Sequence, residues 1–135
     1  MGMDVIGRNP SSPAGEDFGA NLWSWRPIHD LIVLLCSDLL DDEMLVGLGY
    51  NDGQGPLEQA TCTEMATRFE QWMEHHVAGH QLDLDLRVTK DGEFVTRKES
   101  AENPGLETES AYRVDDETLK DWIEFLRYCG GFEVW

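Results

Sequence analysis

The sequence predicts one small α+β domain in the order β-α-α-β-β-α-β, with three helices packed on a small sheet. Three observations carry that prediction. Apolar residues recur at helical spacing in three separate stretches. The segment Leu82-Asp83-Leu84-Asp85-Leu86-Arg87-Val88 alternates strictly between apolar and charged residues, the pattern of a strand with one wet face. Finally, 135 residues suffice for one core and are too few for two, so residues 1–135 read as a single domain. Thirteen aromatics, five of them Trp, supply enough apolar surface to offset the entropy of ordering, which excludes a disordered chain.

Met3-Asp4-Val5-Ile6 opens the order as a short strand closed by Gly7, and residues 8–22, rich in Pro, Ser and Gly, read as a loop. Pro27 suits a first helical position, where its fixed φ fits and its missing N–H costs nothing. Ile28, Leu31, Ile32, Leu35 and Leu39 then share one helical face, flanked by Val33, Leu34 and Cys36. The helix over about 27–40 is therefore expected to be the most buried one. A buried strand over 31–36 competes with it; length and Pro27 favour the helix. After the turn Asn51-Asp52-Gly53-Gln54-Gly55, Pro56 opens a second helix that Gly79 ends. Its buried face is Cys62, Met65, Ala66, Phe69, Met73 or Trp72, and His76.

Behind the alternating strand come Lys90-Asp91-Gly92 and Glu93-Phe94-Val95-Thr96-Arg97. A three-residue loop with Gly92 in the left-handed region pairs Val88 with Phe94 on the dry face and sets Asp85 opposite Arg97 on the wet one. Residues 98–114 show no clear period and read as a loop. Asp115 or Asp116 caps the last helix, whose apolar face is Leu119, Trp122, Ile123, Leu126 and Cys129; Gly130-Gly131 stop it. Phe132-Glu133-Val134-Trp135 is a terminal strand, placed to lie beside the N-terminal one.

Charge sets the functional classes. Twenty-seven acids face ten bases, a formal net charge of −17. A phosphate backbone or an anionic membrane is repelled by such a chain, so no direct nucleic-acid or membrane contact is expected. The longest apolar run, 31–36, is far short of the roughly 18 residues of a membrane span. Met1-Gly2-Met3-Asp4 lacks the basic and apolar regions of a secretory leader. Cys36, Cys62 and Cys129, odd in number and widely spaced, read as reduced, buried thiols of a cytoplasmic protein.

Both ends of the chain carry a recognisable pattern. Met3-Asp4-Val5, Gly7-x-Asn9-Pro10-x-Ser12, Gly15-Glu16-x-Phe18 and Asn21-x-Trp23-x-Trp25-Arg26-Pro27 form one block. The turn Tyr50-Asn51-Asp52-Gly53-x-Gly55 and the ending Phe125-Leu126, Gly130-Gly131-Phe132 complete it. Together these cover about half the chain and resemble a family of small bacterial and phage-borne proteins. The resemblance implies a shared fold and supplies no activity and no catalytic residues. Some members hold paired cysteines of zinc-knuckle type in the middle. Here no Cys lies between Thr63 and Tyr128, which excludes a structural zinc knuckle.

Several clusters are candidate sites. His76 and His80 are one turn apart at helical spacing, with Cys62 within about 40° of the His76 face, so they form a candidate metal site; Gly79 between them breaks the helix. Asp83 and Asp85 with Glu93 lack the ligand spacing of an EF-hand. The 51–55 turn lacks the Lys-Ser/Thr of a phosphate loop. Trp23 and Trp25 form either an exposed aromatic anchor or a staple onto the core, with Arg26 stacked on a ring or paired with an acid. The acids Asp41, Asp42 and Glu43, and Glu102, Glu107 and Glu109, are solvated surface and caps singly. Together they make a field that imitates a phosphate backbone.

No Gly-x-Ser-x-Gly, His-Glu-x-x-His or Cys-His nucleophile arrangement occurs. The sequence thus points to a non-enzymatic acidic interaction module that binds or antagonises a protein with a basic surface. It implies no cofactor and allows a homo-oligomer. Its alternative is a small metal-dependent enzyme using His76, His80 and nearby carboxylates; a saline habitat would also explain the acids.

Overall fold

The alternation of Met3 and Val5 with Asp4 and Ile6 forms β1 (Gly2–Gly7), whose inward residues are buried and outward ones exposed. This is seen in a computed structural model of the chain that describes residues 2–75, 80–82 and 86–135. One 3-10 turn, Pro13–Gly15, leads into β2 (Asp17–Asn21), antiparallel to β1 with Phe18 opposite Val5. The expected loop over 8–22 therefore ends in a strand. Its Pro and Gly residues masked the short alternation of Phe18 and Ala20 with Asp17, Gly19 and Asn21. The C-terminal β8 (Phe132–Val134) lies on the other side of β1, with Val134 opposite Val5, so the two chain ends pair as the sequence predicts. The sheet order is β2-β1-β8. Residues 53–56 run along the far side of β8: Gly53 N–H donates to Val134 O (2.7 Å), Val134 N–H to Gln54 O (3.0 Å) and Phe132 N–H to Pro56 O (3.0 Å). That leaves β2 as the open edge.

The first helix, α1 (Leu22–Cys36), starts five residues before Pro27 and ends four before position 40. Asn21 caps it, its side chain accepting from Ser24 N–H at 2.9 Å. Pro27 sits inside, where it removes the bond to the Trp23 carbonyl, a cost of up to about 3 kcal/mol. Burial of Trp25, Ile28, Leu31 and Ile32 offsets this, since each large apolar side chain contributes about 1.5–3 kcal/mol. Val33 and Leu34, expected on the buried flanks, are 42% and 64% exposed because no element covers that side among the described residues. Asp41 then caps a short α2 (Asp42–Gly47) that the sequence did not reveal.

Helix α3 (Gln59–Met73) begins after Pro56, because 54–56 are extended against β8. Its face of Cys62, Met65, Ala66 and Phe69 is buried as expected, and Trp72 and Met73 pack on the rim. It ends at Met73, followed by exposed Glu74 and His75; Gly79, its expected terminus, lies outside the described residues. Asp115 caps α5 (Asp116–Tyr128), its side chain accepting from Thr118 N–H at 2.8 Å. Leu119, Trp122, Ile123, Leu126 and Cys129 are all buried, and Gly130 and Gly131, at φ +67° and +88°, end the helix. Trp122 is the hub, with ring centroids of Phe18, Trp25, Phe69, Phe125 and Phe132 at 5.2–6.2 Å. The three cysteines are buried free thiols, and burial pushes Cys36 up to about 12. A hydrogen bond with Cys129, together with burial, holds the Cys62 thiol protonated.

The middle of the chain forms two smaller sheets. β4 (Leu86–Thr89) pairs with β5 (Phe94–Thr96) in the predicted register, Val88 opposite Phe94. Thr89 N–H donates to Glu93 O (2.9 Å) and Gly92 N–H to Thr89 O (3.0 Å), which closes a three-residue loop with Gly92 at φ +84°. Asp83, Leu84 and Asp85 of the predicted strand lie outside the described residues. The dry face is only partly dry: Phe94 is 55% exposed and leans on Trp23. The expected loop over 98–114 instead holds α4 (Arg97–Glu102), β6 (Thr108–Ser110), which pairs with β4, and β7 (Arg113–Val114). β7 pairs with β3 (His80–Gln81). These pieces are too short to show a period and depend on partners distant in sequence. The whole is a single small α+β domain with five helices and three antiparallel sheets among the described residues. None of its helices is long and apolar enough to cross a membrane.

Arg8 ties the chain ends to the 53–56 segment. Its Nε–H donates to Pro56 O (3.2 Å) and Phe132 O (3.0 Å), its second amine to Gly55 O (3.3 Å), and its first to the Glu133 carboxylate (3.2 Å). Backbones meet so closely here that a Cβ on Gly55 would lie 1.9 Å from Phe132 O. Replacing Arg8 with Met should lower unfolding free energy by about 2 kcal/mol or more, since several partly buried carbonyls lose a charged donor. Glu133→Gln, which touches only the exposed ion pair, should cost well under about 1 kcal/mol. Equal losses in urea denaturation would contradict this division. Gly92→Val should cost about 1 kcal/mol or more, because a β-branched residue resists positive φ; an unchanged urea midpoint would count against the tight turn.

Candidate functional site

The bases are largely engaged within the fold. Arg68 binds both Asp38 and Glu64 and also donates to Leu35 O at 2.9 Å. Arg127 pairs with Glu70, Arg8 with Glu133, Lys90 with Glu107, and Arg113 with Glu109. Arg26 lies 5.3 Å over the Tyr112 ring, so its aromatic partner is neither tryptophan beside it. Internal pairing of this kind leaves the excess acids as the outward charge.

The sequence-predicted residues fall in different places. Trp25 is not an exposed anchor: it is 1% exposed in the core, and its indole N–H donates to Leu48 O at 2.8 Å. The helix starts upstream of it and turns its ring inward. Trp23 is half-buried, stacked on Phe94 at 5.2 Å and tilted against Tyr112 at 5.0 Å, and so joins α1 to the outer sheet. Asp41 is the cap of α2, accepting from Met44 N–H at 2.8 Å, and Asp42 and Glu43 occupy the first turn, where the helix dipole favours acids. Glu107 and Glu109 are held in ion pairs, while Glu102 is exposed at the end of α4.

The metal candidate does not assemble among the described residues. His76 lies outside them. His80 is on β3, where its Nε2 meets the Asp30 carboxylate at 2.9 Å and its ring packs edge-on to Trp72. Cys62 is fully buried against Cys129, away from solvent. No group of three or more His, Cys, Asp or Glu side chains among the described residues is placed to hold an ion.

A different set of acids comes together. On the outer face of the first sheet, Asp4, Glu16 and Asp17 line a groove of about 540 Å³ with Ile6 and Trp135. Round the edge of β2, Asp17 lines a second groove of about 410 Å³ with Thr118, Asp121 and Glu124 of α5. All five acids are exposed, none has an ion-pair partner among the described residues, and no basic side chain lines either groove. Lys120 and Arg127 line the separate groove between α3 and α5. Sequence reasoning missed this face because Glu16 and Asp17 lay in an apparent loop, more than 100 positions from Asp121 and Glu124. The available signal was the spacing of Asp121 and Glu124, three apart and beside the buried face of Trp122 and Leu126.

An apolar groove of about 700 Å³ also opens between α1 and α2, bordered by Val33, Leu45, Val46, Tyr50 and Leu82. His29 at its wall is fixed by Leu45 O at 2.6 Å. No family model, curated protein or solved structure matches the chain.

Two exposed carboxyls contribute modestly to the acid limb of stability. The hydrogen bond from Arg68 holds Asp38 below its ordinary 3.8, and the Thr118 N–H at the helix cap does the same for Asp115. Folded, each binds its proton less readily than unfolded. Their contribution is therefore complete above about pH 4–5 and is lost as pH falls through the depressed values. Urea midpoints should therefore fall as pH drops below about 4. Asp38→Asn should make that fall shallower; an unchanged fall would show that the Arg68 bond does not make Asp38 harder to protonate in the folded chain.

Proposed function

We propose that this protein is a non-enzymatic, acidic interaction module of a reducing cytoplasm that binds a partner protein through the partner's basic surface. The observation that carries the reading is the convergence of Asp4, Glu16, Asp17, Asp121 and Glu124, exposed and unpaired, around one edge of the sheet. With most bases consumed internally, this face carries an uncompensated field of the kind that draws cationic surfaces and speeds association. Such a module can occupy the basic groove of a nucleic-acid-binding protein and so antagonise it. The resemblance of both chain ends to bacterial and phage-borne proteins suits that role. The metal-enzyme alternative has no comparable convergence behind it: among the described residues no three His, Cys, Asp or Glu side chains are placed to hold an ion.

The screening length at ~0.15 M salt is about 8 Å, so such a complex needs several close charge contacts. A partner isolated on the immobilised protein from the native host should itself be basic, and its affinity should fall steeply with added salt. Neutralising Asp17, Asp121 and Glu124 should act mainly by slowing association. Neutralising Asp41, Asp42 and Glu43 should act less and cost helix stability as well. A flat salt response, or an acidic partner, would overturn the electrostatic reading.

A further inference from the structure

We propose that the acidic face is used by strand addition: an extended Lys/Arg-rich segment of the partner pairs with the open edge of β2, beside α5. The proposal rests on the basic-partner reading above. Its independent ground is the backbone. Gly7 N–H donates to Glu16 O (2.9 Å), and Phe18 and Ala20 face Val5 and Met3 in the ladder. Because backbone groups alternate sides along a strand, the N–H and C=O of Asp17 and Gly19 point away from β1. They have no partner among the described residues, and β2 is the outermost strand. The opposite edge of the same sheet is covered by residues 53–56. Gly19 leaves the backbone bare: nothing lies within 4 Å of where its Cβ would be.

Only an extended chain can satisfy donors and acceptors at alternate residues of a strand edge. The side chains of an added strand would alternate between the two faces of the sheet. On one side they would meet Asp121 and Glu124, and on the other Asp17, with Asp4 and Glu16 beyond it. Basic residues on both faces are therefore complementary, which singles out a cationic segment over an apolar one. A second copy of this chain is disfavoured as occupant, because its own Asp17 would be brought against these acids.

The test uses the full chain and a short synthetic peptide of alternating Lys-Lys and Val-Thr pairs, which places Lys on both faces of the extended strand. A Lys/Ala peptide of equal charge and high helix propensity serves as control. Amide hydrogen exchange and chemical shifts are read by NMR at ~0.05 M salt. On binding the alternating peptide, the Asp17 and Gly19 amides, exposed in the free protein, should gain protection of about tenfold or more. Combined Asp17→Asn, Asp121→Asn and Glu124→Gln should raise the Kd about tenfold. Gly19→Pro, which deletes an outward N–H that an edge strand can spare, should abolish that protection. If the Pro variant does not fold, the neutralised variant and the exchange map decide alone. Binding of either peptide with Asp17 and Gly19 unprotected would overturn strand addition and leave the basic-partner reading intact. Failure of both peptides to bind would sink the two together.

Discussion

Residues 2–7, the last four and the 53–56 segment are held in register by backbone contacts too close for side chains to intervene. Arg8 supplies the charge-assisted bonds that bind them, reaching carbonyls of Gly55, Pro56 and Phe132 at once. Gly55 leaves room for the Phe132 carbonyl, and the Phe132 and Val134 amides find acceptors in Pro56 and Gln54. Without this arrangement β8 would have one bare edge and β1 no anchored neighbour on that side. The aromatic hub depends on it too, since Phe132 enters the Trp122 cluster from β8.

Around that anchor the domain divides by how much apolar surface each part buries. Helices α1, α3 and α5 with the first sheet enclose nearly all the fully buried side chains. The β4–β5–β6 sheet contributes almost none, and its ladder residues are only partly covered. What fastens it to the body includes the Trp23 contacts with Phe94 and Tyr112 and the stacking of Arg26. Local opening free energies follow buried apolar contact, so this outer sheet is the part with least to hold it closed. The proposed interaction site on β2 and α5 would gain rigidity from standing on the better-packed half.

Charge is organised by the same division. Arg8, Arg68, Lys90, Arg113 and Arg127 lie next to acids, and Arg68 bridges Asp38 and Glu64. Exposed pairs like these contribute little stability, and their larger effect is on where negative potential remains. It remains where two elements far apart in sequence place acids on both sides of a strand edge. Acids on an edge also oppose pairing between identical copies.

The three main helices, the hairpin register and the pairing of the chain ends were legible in the sequence, because each follows from local periodicity or a single glycine. Strict spacing marks Leu119, Trp122, Ile123 and Leu126, and positive φ marks Gly92. Net charge, and with it the expectation of a basic partner, is equally a property of composition. Other features depend on partners the sequence does not place. The helix start moved back to Leu22 because Trp25 finds Leu48 O across the core, and local rules see only Pro27. Short elements such as α2, α4, β3, β6 and β7 contain too few residues to show a period. The acidic face is the clearest case: Asp17 and Asp121 become neighbours only when β2 returns along β1 and α5 packs beneath it. Adjacency across 104 positions is a fact of tertiary folding, and no window along the chain contains it.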